Sequence, residues 1–365
     1  MHTDSLFFRQ QTDGTRYPVD LANFYAGPTP ATCWIIGGGP SLATLPVDKL
    51  VASPAPRFTI NLAGSQLLRP QFWTSYDPTD RFHRSVYLDP SIIKFVHLQR
   101  AMDLVPETTF KVCECPGTLF FHRAPHRGFH DFLGGGPGTN SSQANYAGIV
   151  DWQDTLVQAI HIAYSLGFRR LLLAGCDMFV RPSPEQIERA RAVGVTYKPR
   201  SLLSDFIRQC EQAGLSTGDL DGLGKMPQYH FDEQKPLRDS MRTDAHYFRV
   251  AQYLRLSRQA LSSAGLEVIS VTPESRLNDY FRYQPITEVI ADIHETVGRP
   301  ESESTRGRYT RLQQRGPTDL GPMRDFRPHN WKASTPPPGK SKRTERARDA
   351  FEAIPEVAVP IDEVG

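Results

Sequence analysis

The stretch Thr32-Cys33-Trp34-Ile35-Ile36-Gly37-Gly38-Gly39-Pro40-Ser41-Leu42 constrains the fold more than any other, because an apolar run stops at three glycines and leads into a helix start. Glycines after a buried strand let the backbone turn with no Cβ in the way. Free N–H groups at the next helix start attract an anion. The stretch reads as a phosphate-binding turn, with a purely structural strand-to-helix turn as the alternative. A flavin or nicotinamide fingerprint is excluded on two counts. Leu42 stands where its third glycine belongs, and the next strand-like run, 57–60, ends in Asn61 rather than in an acidic ribose ligand.

Further along, strand-like runs alternate with helical ones, which implies a mostly parallel α/β sheet with helices on both faces. Strands are expected at 32–36, 57–60, 72–76, 92–98 and 110–113, with a helix over 41–50. A second strong unit follows. Residues 151–166 carry apolar side chains at helical spacing, Gly167 stops the helix, and 170–174 is a buried strand ending in Gly175-Cys176-Asp177. Residues 178–243 are more polar and read as a helical insertion or lid over the carboxyl edge of the sheet. A long helix over 244–264 and a last strand over 266–271 complete the domain.

The expected organisation is therefore a leader over 1–30, a Rossmann-like nucleotide-binding domain over 31–290, and a disordered tail over 291–365. The tail is rich in Arg, Pro, Gly and Ser, which cannot bury enough apolar surface to order itself. Of 42 Lys+Arg and 40 Asp+Glu, residues 301–365 hold 12 and 10, which leaves the first 300 residues neutral. A neutral domain argues against a broad nucleic-acid footprint, although the basic part of the tail can add a weak nucleic-acid contact. The acidic, apolar end over 351–364 can serve as a docking peptide for a protein partner. No apolar run approaches the length of a membrane helix, and five cysteines without framework spacing fit reduced thiols, so the expected location is the cytoplasm.

Three separated pieces, Gly37-Gly38-Gly39-Pro40-Ser41-Leu42, Asn61 and Gly175-Cys176-Asp177, stand with a carboxyl-terminal Thr272-Pro273-Glu274-Ser275-Arg276-Leu277. Together they resemble the MptE-like family of archaeal 6-hydroxymethyl-dihydropterin pyrophosphokinases. Its relatives are the motility-associated flagellin glycosyltransferases and the bacterial sialyltransferases with a Gly-Asn-Gly-Pro-Ser turn. The resemblance spans about residues 32–285. It implies a Rossmann-like domain that transfers a group from a nucleotide bound at the carboxyl edge. Gly37, Gly38, Gly39, Pro40 and Ser41 would hold phosphate, Asn61 the nucleoside, and Gly175 and Asp177 would close the pocket. Gly38 stands where the sialyltransferase turn has asparagine, which removes a polar contact to the donor.

Transfer to a hydroxyl calls for a base that titrates near neutrality, and histidine does so unaided. By resemblance His230, just before the long helix, is the first candidate; His246 is the second, and Asp177 the acidic one. Asp77 and Asp80, after a strand on the same edge, are the candidate Mg²⁺ ligands if the enzyme is metal-dependent, against an Asp-Pro turn as the alternative. His122, His126 and His130 lack the spacing of a metal face, and the loop 134–142 reads as a donor-covering loop or a solvated linker. Asp151 reads as a helix N-cap. Three functions stay open: a glycosyltransferase using a nucleotide-sugar, an ATP- and Mg-dependent pyrophosphokinase, and a non-catalytic nucleotide-binding scaffold.

Overall fold

The computed structural model describes residues 5–27, 30–64, 67–125, 148–223 and 234–297. The expected tail, from 298 onward, His230 and the loop 134–142 lie outside the described residues.

Ten strands form one sheet: β1 (Phe7–Gln10), β2 (Arg16–Val19), β3 (Thr32–Ile36), β4 (Arg57–Ile60), β5 (Phe72–Thr74), β6 (Ile93–His97), β7 (Thr118–Phe121), β10 (Arg170–Ala174), β11 (Glu267–Ser270) and β12 (Arg282–Tyr283). Two further strands, β8 (Arg123–Pro125) and β9 (Ile149–Asp151), pair with each other in parallel. The order across the large sheet is β12-β11-β10-β3-β4-β5-β6-β7-β1-β2, and every pair from β12 to β7 is parallel. The chain therefore builds outward from β3 to β7, then returns to the other side of β3 with β10. That reversal is the switch point at which open α/β sheets bind ligands.

Alternation along each strand assigns the two faces. Cys33, Ile35, Phe58, Phe72, Phe95, Leu171 and Leu173 face one core with α3 (Thr155–Ser165) and the end of α7 (Leu237–Leu256). Trp34, Ile36, Leu172, Ala174 and Ile269 face another with α1 (Val47–Ala52) and α9 (Ile286–Val297). Phe8, Trp73, Val96 and Phe120 close the far end against α2 (Arg84–Leu88). Each such fully buried side chain contributes roughly 1.5–3 kcal/mol of transfer free energy. The chain is thus a Rossmann-like α/β protein with a mostly parallel sheet covered on both faces.

Several boundaries differ from the sequence reading. The helix expected over 41–50 is a five-residue 3-10 turn, Pro40–Thr44, then α1, because Pro46 interrupts the backbone hydrogen bonding between them. Residues 110–113 form no strand; a 3-10 turn at Val112–Glu114 precedes β7. The helix expected from 151 starts at Thr155, and its N-cap is Asp154, which accepts from the Val157 N–H at 2.9 Å; Asp151 instead ends β9. The long helix starts earlier, at Leu237, and breaks at Ser257 into α8 (Arg258–Ser263). β11 is followed by β12, and α9 carries helical structure past residue 290. Residues of the expected leader form β1 and β2, which add an antiparallel edge to β7.

The insertion has its own core. Between β10 and α7 lie α4 (Pro184–Ala192), α5 (Leu203–Gln212) and α6 (Thr217–Asp221), which bury Val180, Ala190, Phe206, Ile207, Cys210 and Leu220 with Leu237 of α7. Arg276 welds this unit to the sheet. Its guanidinium donates to the carbonyls of Met178 (2.8 Å), Arg200 (3.1 Å) and Ser201 (3.1 Å) and to Asp244 Oδ1 (3.1 Å).

Candidate functional site at the carboxyl edge

The glycine turn after β3 and the turn after β10 close on each other at the switch point. Gly37 N–H donates to the Ala174 carbonyl and Gly39 N–H to the Gly175 carbonyl, both at 2.8 Å. A Cβ on Gly37 would sit 2.6 Å from the Gly175 carbonyl oxygen. Gly175, at φ +65°, faces the Gly37 carbonyl too closely for any side chain. These two glycines are thus required by loop-to-loop packing, whatever else the turn binds. Gly38 lies between Gly37 and Gly39 and is half-buried.

The position expected to hold phosphate carries a carboxylate. Ser41 Oγ donates to Asp177 Oδ2 at 2.7 Å. A Cβ on Gly39 would overlap Asp177 Oδ2, so the absent side chain at 39 makes room for this group. Burial pushes the Asp177 pKa up to about 6, against the lowering effect of hydrogen bonding to Ser41. With only the Pro40–Thr44 turn behind it, the glycine stretch has no long helix to lend a dipole, and the Gly37 and Gly39 N–H groups already serve the Ala174 and Gly175 carbonyls.

Beside Asp177 opens a cleft of about 520 Å³, lined by Pro40, Ser41, Phe179, Arg181, Ile187 and Pro273 among others. Phe179, Ile187 and several prolines share its wall with about as many polar and charged side chains, among them Glu188 and Glu274. Arg181 stands at its edge, ion-paired with Glu274.

On the other side of the glycine turn, Asn61 adopts φ 53° at the end of β4. Its Oδ1 accepts from Ser75 Oγ at 2.6 Å and from Thr155 Oγ1 at 3.1 Å, so its carbonyl oxygen already serves the protein. Thr155 opens α3 directly after Asp154, whose second carboxylate oxygen meets His246 Nε2 at 3.2 Å. His246 is half-buried and lies in the middle of α7 rather than in its first turn, a correction forced by the earlier start of that helix. The Asp154 charge also reaches the Cys176 thiol, which burial first, then Asp177 and Asp154, push far up.

The candidate metal ligands are not gathered. Asp77 pairs with Arg81 at 2.7 Å, and Asp80 is exposed in the turn Thr79–Arg81. Among the described residues no group of three His, Cys, Asp or Glu side chains is placed to hold a metal. The Asp154–His246 pair is not legible in the sequence, since 92 residues separate its members.

No family model, curated protein or solved structure matches this chain. Fold and geometry define its class, a Rossmann-like α/β protein with a cleft at the switch point. Among the described residues no helix is long and apolar enough to cross a membrane.

Proposed function

We propose that this protein is a nucleotide-dependent transferase, specifically a glycosyltransferase that uses a nucleotide-sugar donor. The supporting observation is convergence at one sheet edge: the Ser41–Asp177 pair opens into the cleft, and the Asp154–His246 pair stands beside Asn61. A carboxylate at the switch point is suited to accept from ribose hydroxyls, as acidic residues do in dinucleotide folds. Arg181 is the donor for the diphosphate.

His246 acts as general base. With Nε2–H donated to Asp154, Nδ1 carries the lone pair that takes the acceptor hydroxyl proton, and Asp154 stabilises the imidazolium that forms. The acceptor oxygen then bonds to the anomeric carbon as the bond from that carbon to the donor phosphate breaks. The electron pair leaves with the nucleoside diphosphate or monophosphate.

The test is a thermal-shift panel of nucleotides and nucleotide-sugars, with and without Mg²⁺, on the wild type and Gly39→Val, followed by transfer assays. A nucleotide at 100 times its Kd stabilises by about 2.7 kcal/mol. The expected outcome is stabilisation by one nucleotide family, lost in Gly39→Val, with turnover that survives chelation and falls on the order of 10²–10⁴-fold in His246→Ala. If no nucleotide stabilises the wild type, the reading fails; turnover abolished by chelation would point to the pyrophosphokinase instead.

A further inference from the structure

Farther along the same edge lies a second polar assembly that the transfer step does not use. Tyr76 follows β5, His97 ends β6, and Arg123 opens β8 just past β7. The Arg123 guanidinium lies 3.6 Å from the centre of the Tyr76 ring, and its Nε and Nη2 both donate to Gln158 Oε1, at 3.2 and 3.1 Å. Gln158 is itself pinned, donating to Thr74 Oγ1 at 2.6 Å and to the Ser75 carbonyl at 3.2 Å. Tyr76 Oη donates to Asp151 Oδ1 at 2.8 Å.

This arrangement leaves a charge in need of a counterion. Arg123 is half-buried, yet its hydrogen-bond acceptor is a neutral amide oxygen. Among the described residues no carboxylate comes within ion-pair distance of it. Asp151 is near enough to be felt, but Arg100 is as well, and Arg100 is engaged only loosely by Asp103, at 3.6 Å. His97, held neutral with a pKa near 4 by burial and by Arg123, offers polarity without charge. Removing a guanidinium from water onto a ring and an amide is costly unless an anion completes the site. With Nε and Nη2 pinned on Gln158, the remaining N–H donors of the planar guanidinium suit a carboxylate or a phosphate oxygen.

The geometry points to an anion-binding subsite formed by Arg123 against Tyr76, with the Arg100 charge nearby, which takes the carboxylate or phosphate of an acidic acceptor. Tyr76 stands two strands and Arg123 four strands from the glycine turn. At about 4.8 Å per strand the subsite lies roughly 10–19 Å from that turn, too far to share the donor's phosphates and suited to the far end of a second substrate. Asn61, at the end of β4, and its partner Thr155, at the start of α3, lie between the two. Naming the ligand an acceptor rests on the transferase reading; anion binding itself does not.

Titration of the full-length protein with inorganic phosphate and with glutarate, each at constant ionic strength, tests the subsite by thermal shift and calorimetry. Wild type, Arg100→Gln, Arg123→Lys and Ser41→Ala are compared. The expected result is saturable binding of at least one anion, weakened tenfold or more by Arg100→Gln and Arg123→Lys and changed less than twofold by Ser41→Ala. Phosphate alone marks a phosphorylated acceptor; glutarate binding marks a carboxylate one. The Arg100 side chain is more than a third exposed, so Arg100→Gln remains readable if the half-buried Arg123 variant fails to fold. Binding of neither anion overturns the inference, as does binding that Ser41→Ala removes while both arginine variants keep it. Nucleotide binding, measured separately, decides the transferase reading whichever way this falls.

Discussion

Two aspartates, Asp177 and Asp244, are both withdrawn from water at the ends of the switch-point region, and they are treated in opposite ways. Asp244 is fully buried and fully used: Oδ1 accepts from Val180 N–H at 2.9 Å and from Arg276 at 3.1 Å, and Oδ2 accepts from Leu203 N–H at 2.9 Å. Asp177 has the hydroxyl of one residue, Ser41, lies tight against Gly39, and borders an open cleft. A carboxylate given a complete shell of donors and a counterion holds segments together. One left short of donors, with its pKa raised toward neutrality, is where a ligand would complete the shell.

The sharpest way to break this comparison is to remove the Asp244 carboxylate. Asp244→Ala leaves Arg276 charged and buried without its partner and frees two buried N–H groups. A loss of about 3–5 kcal/mol is expected in urea denaturation. A double-mutant cycle with Arg276→Met should recover part of that loss, because both charges are then gone. A loss below about 1 kcal/mol for Asp244→Ala would remove the structural half of the contrast.

Next in size is Gly175→Ala. The new Cβ meets the Gly37 carbonyl, and φ +65° is itself unfavourable for alanine, so the expected cost is about 2–4 kcal/mol. Urea denaturation reads it directly. If Gly175→Ala instead matched the wild type, the two turns would not be packed as described, and the glycines would return to being explained by a ligand alone.

What could be read in the sequence follows from how local each signal is. The buried strands 32–36 and 170–174, the glycines that end them and the alternating α/β pattern are properties of short contiguous segments, and the sheet contains them. Asp244 shows the limit. An acidic residue before an apolar periodic stretch looks like the start of its own helix, yet its carboxylate bonds the first N–H of α5, which starts 41 residues earlier in the chain. The same holds for the candidate site. Ser41 and Asp177 were legible as separate motifs, but nothing local says that the carboxylate enters the glycine turn. The Tyr76–Arg123–Gln158 assembly joins three distant segments and carries no motif at all.

A smaller effect concerns the titration of Asp177. Its folded pKa of about 6 lies above the ordinary value of 3.8, so the folded state holds a proton that the unfolded chain releases between those values. Stability from this group is complete below pH 3.8 and is lost as pH rises through about 6. Two units correspond to at most about 3 kcal/mol, and contact with the open cleft reduces this to about 2 kcal/mol. Asp177→Asn keeps a partner for Ser41 and cannot ionise. Denaturation midpoints of the two proteins should therefore diverge from pH 4 to 7, the variant gaining relative to the wild type. Parallel pH profiles would mean that Asp177 is solvated like an ordinary surface carboxylate, and the comparison with Asp244 would lose its functional half.

The smallest stability effect, and the most specific, is expected from Arg181→Ala. Arg181 and Glu274 are both exposed at the cleft edge, 46% and 59% for their side chains, so solvent screens the pair and its loss should cost less than about 1 kcal/mol. If the diphosphate of a donor lies against this edge, the same substitution removes a charge-assisted hydrogen bond worth about 1.5–3 kcal/mol, or tenfold or more in nucleotide Kd. Stability and binding thus separate at Arg181, whereas at Asp244 any loss of binding would follow loss of structure. Calorimetric titration of the nucleotide identified in the thermal-shift panel measures the difference. An unchanged Kd would leave Asp177 as the ligand contact and move the diphosphate away from the Arg181 edge.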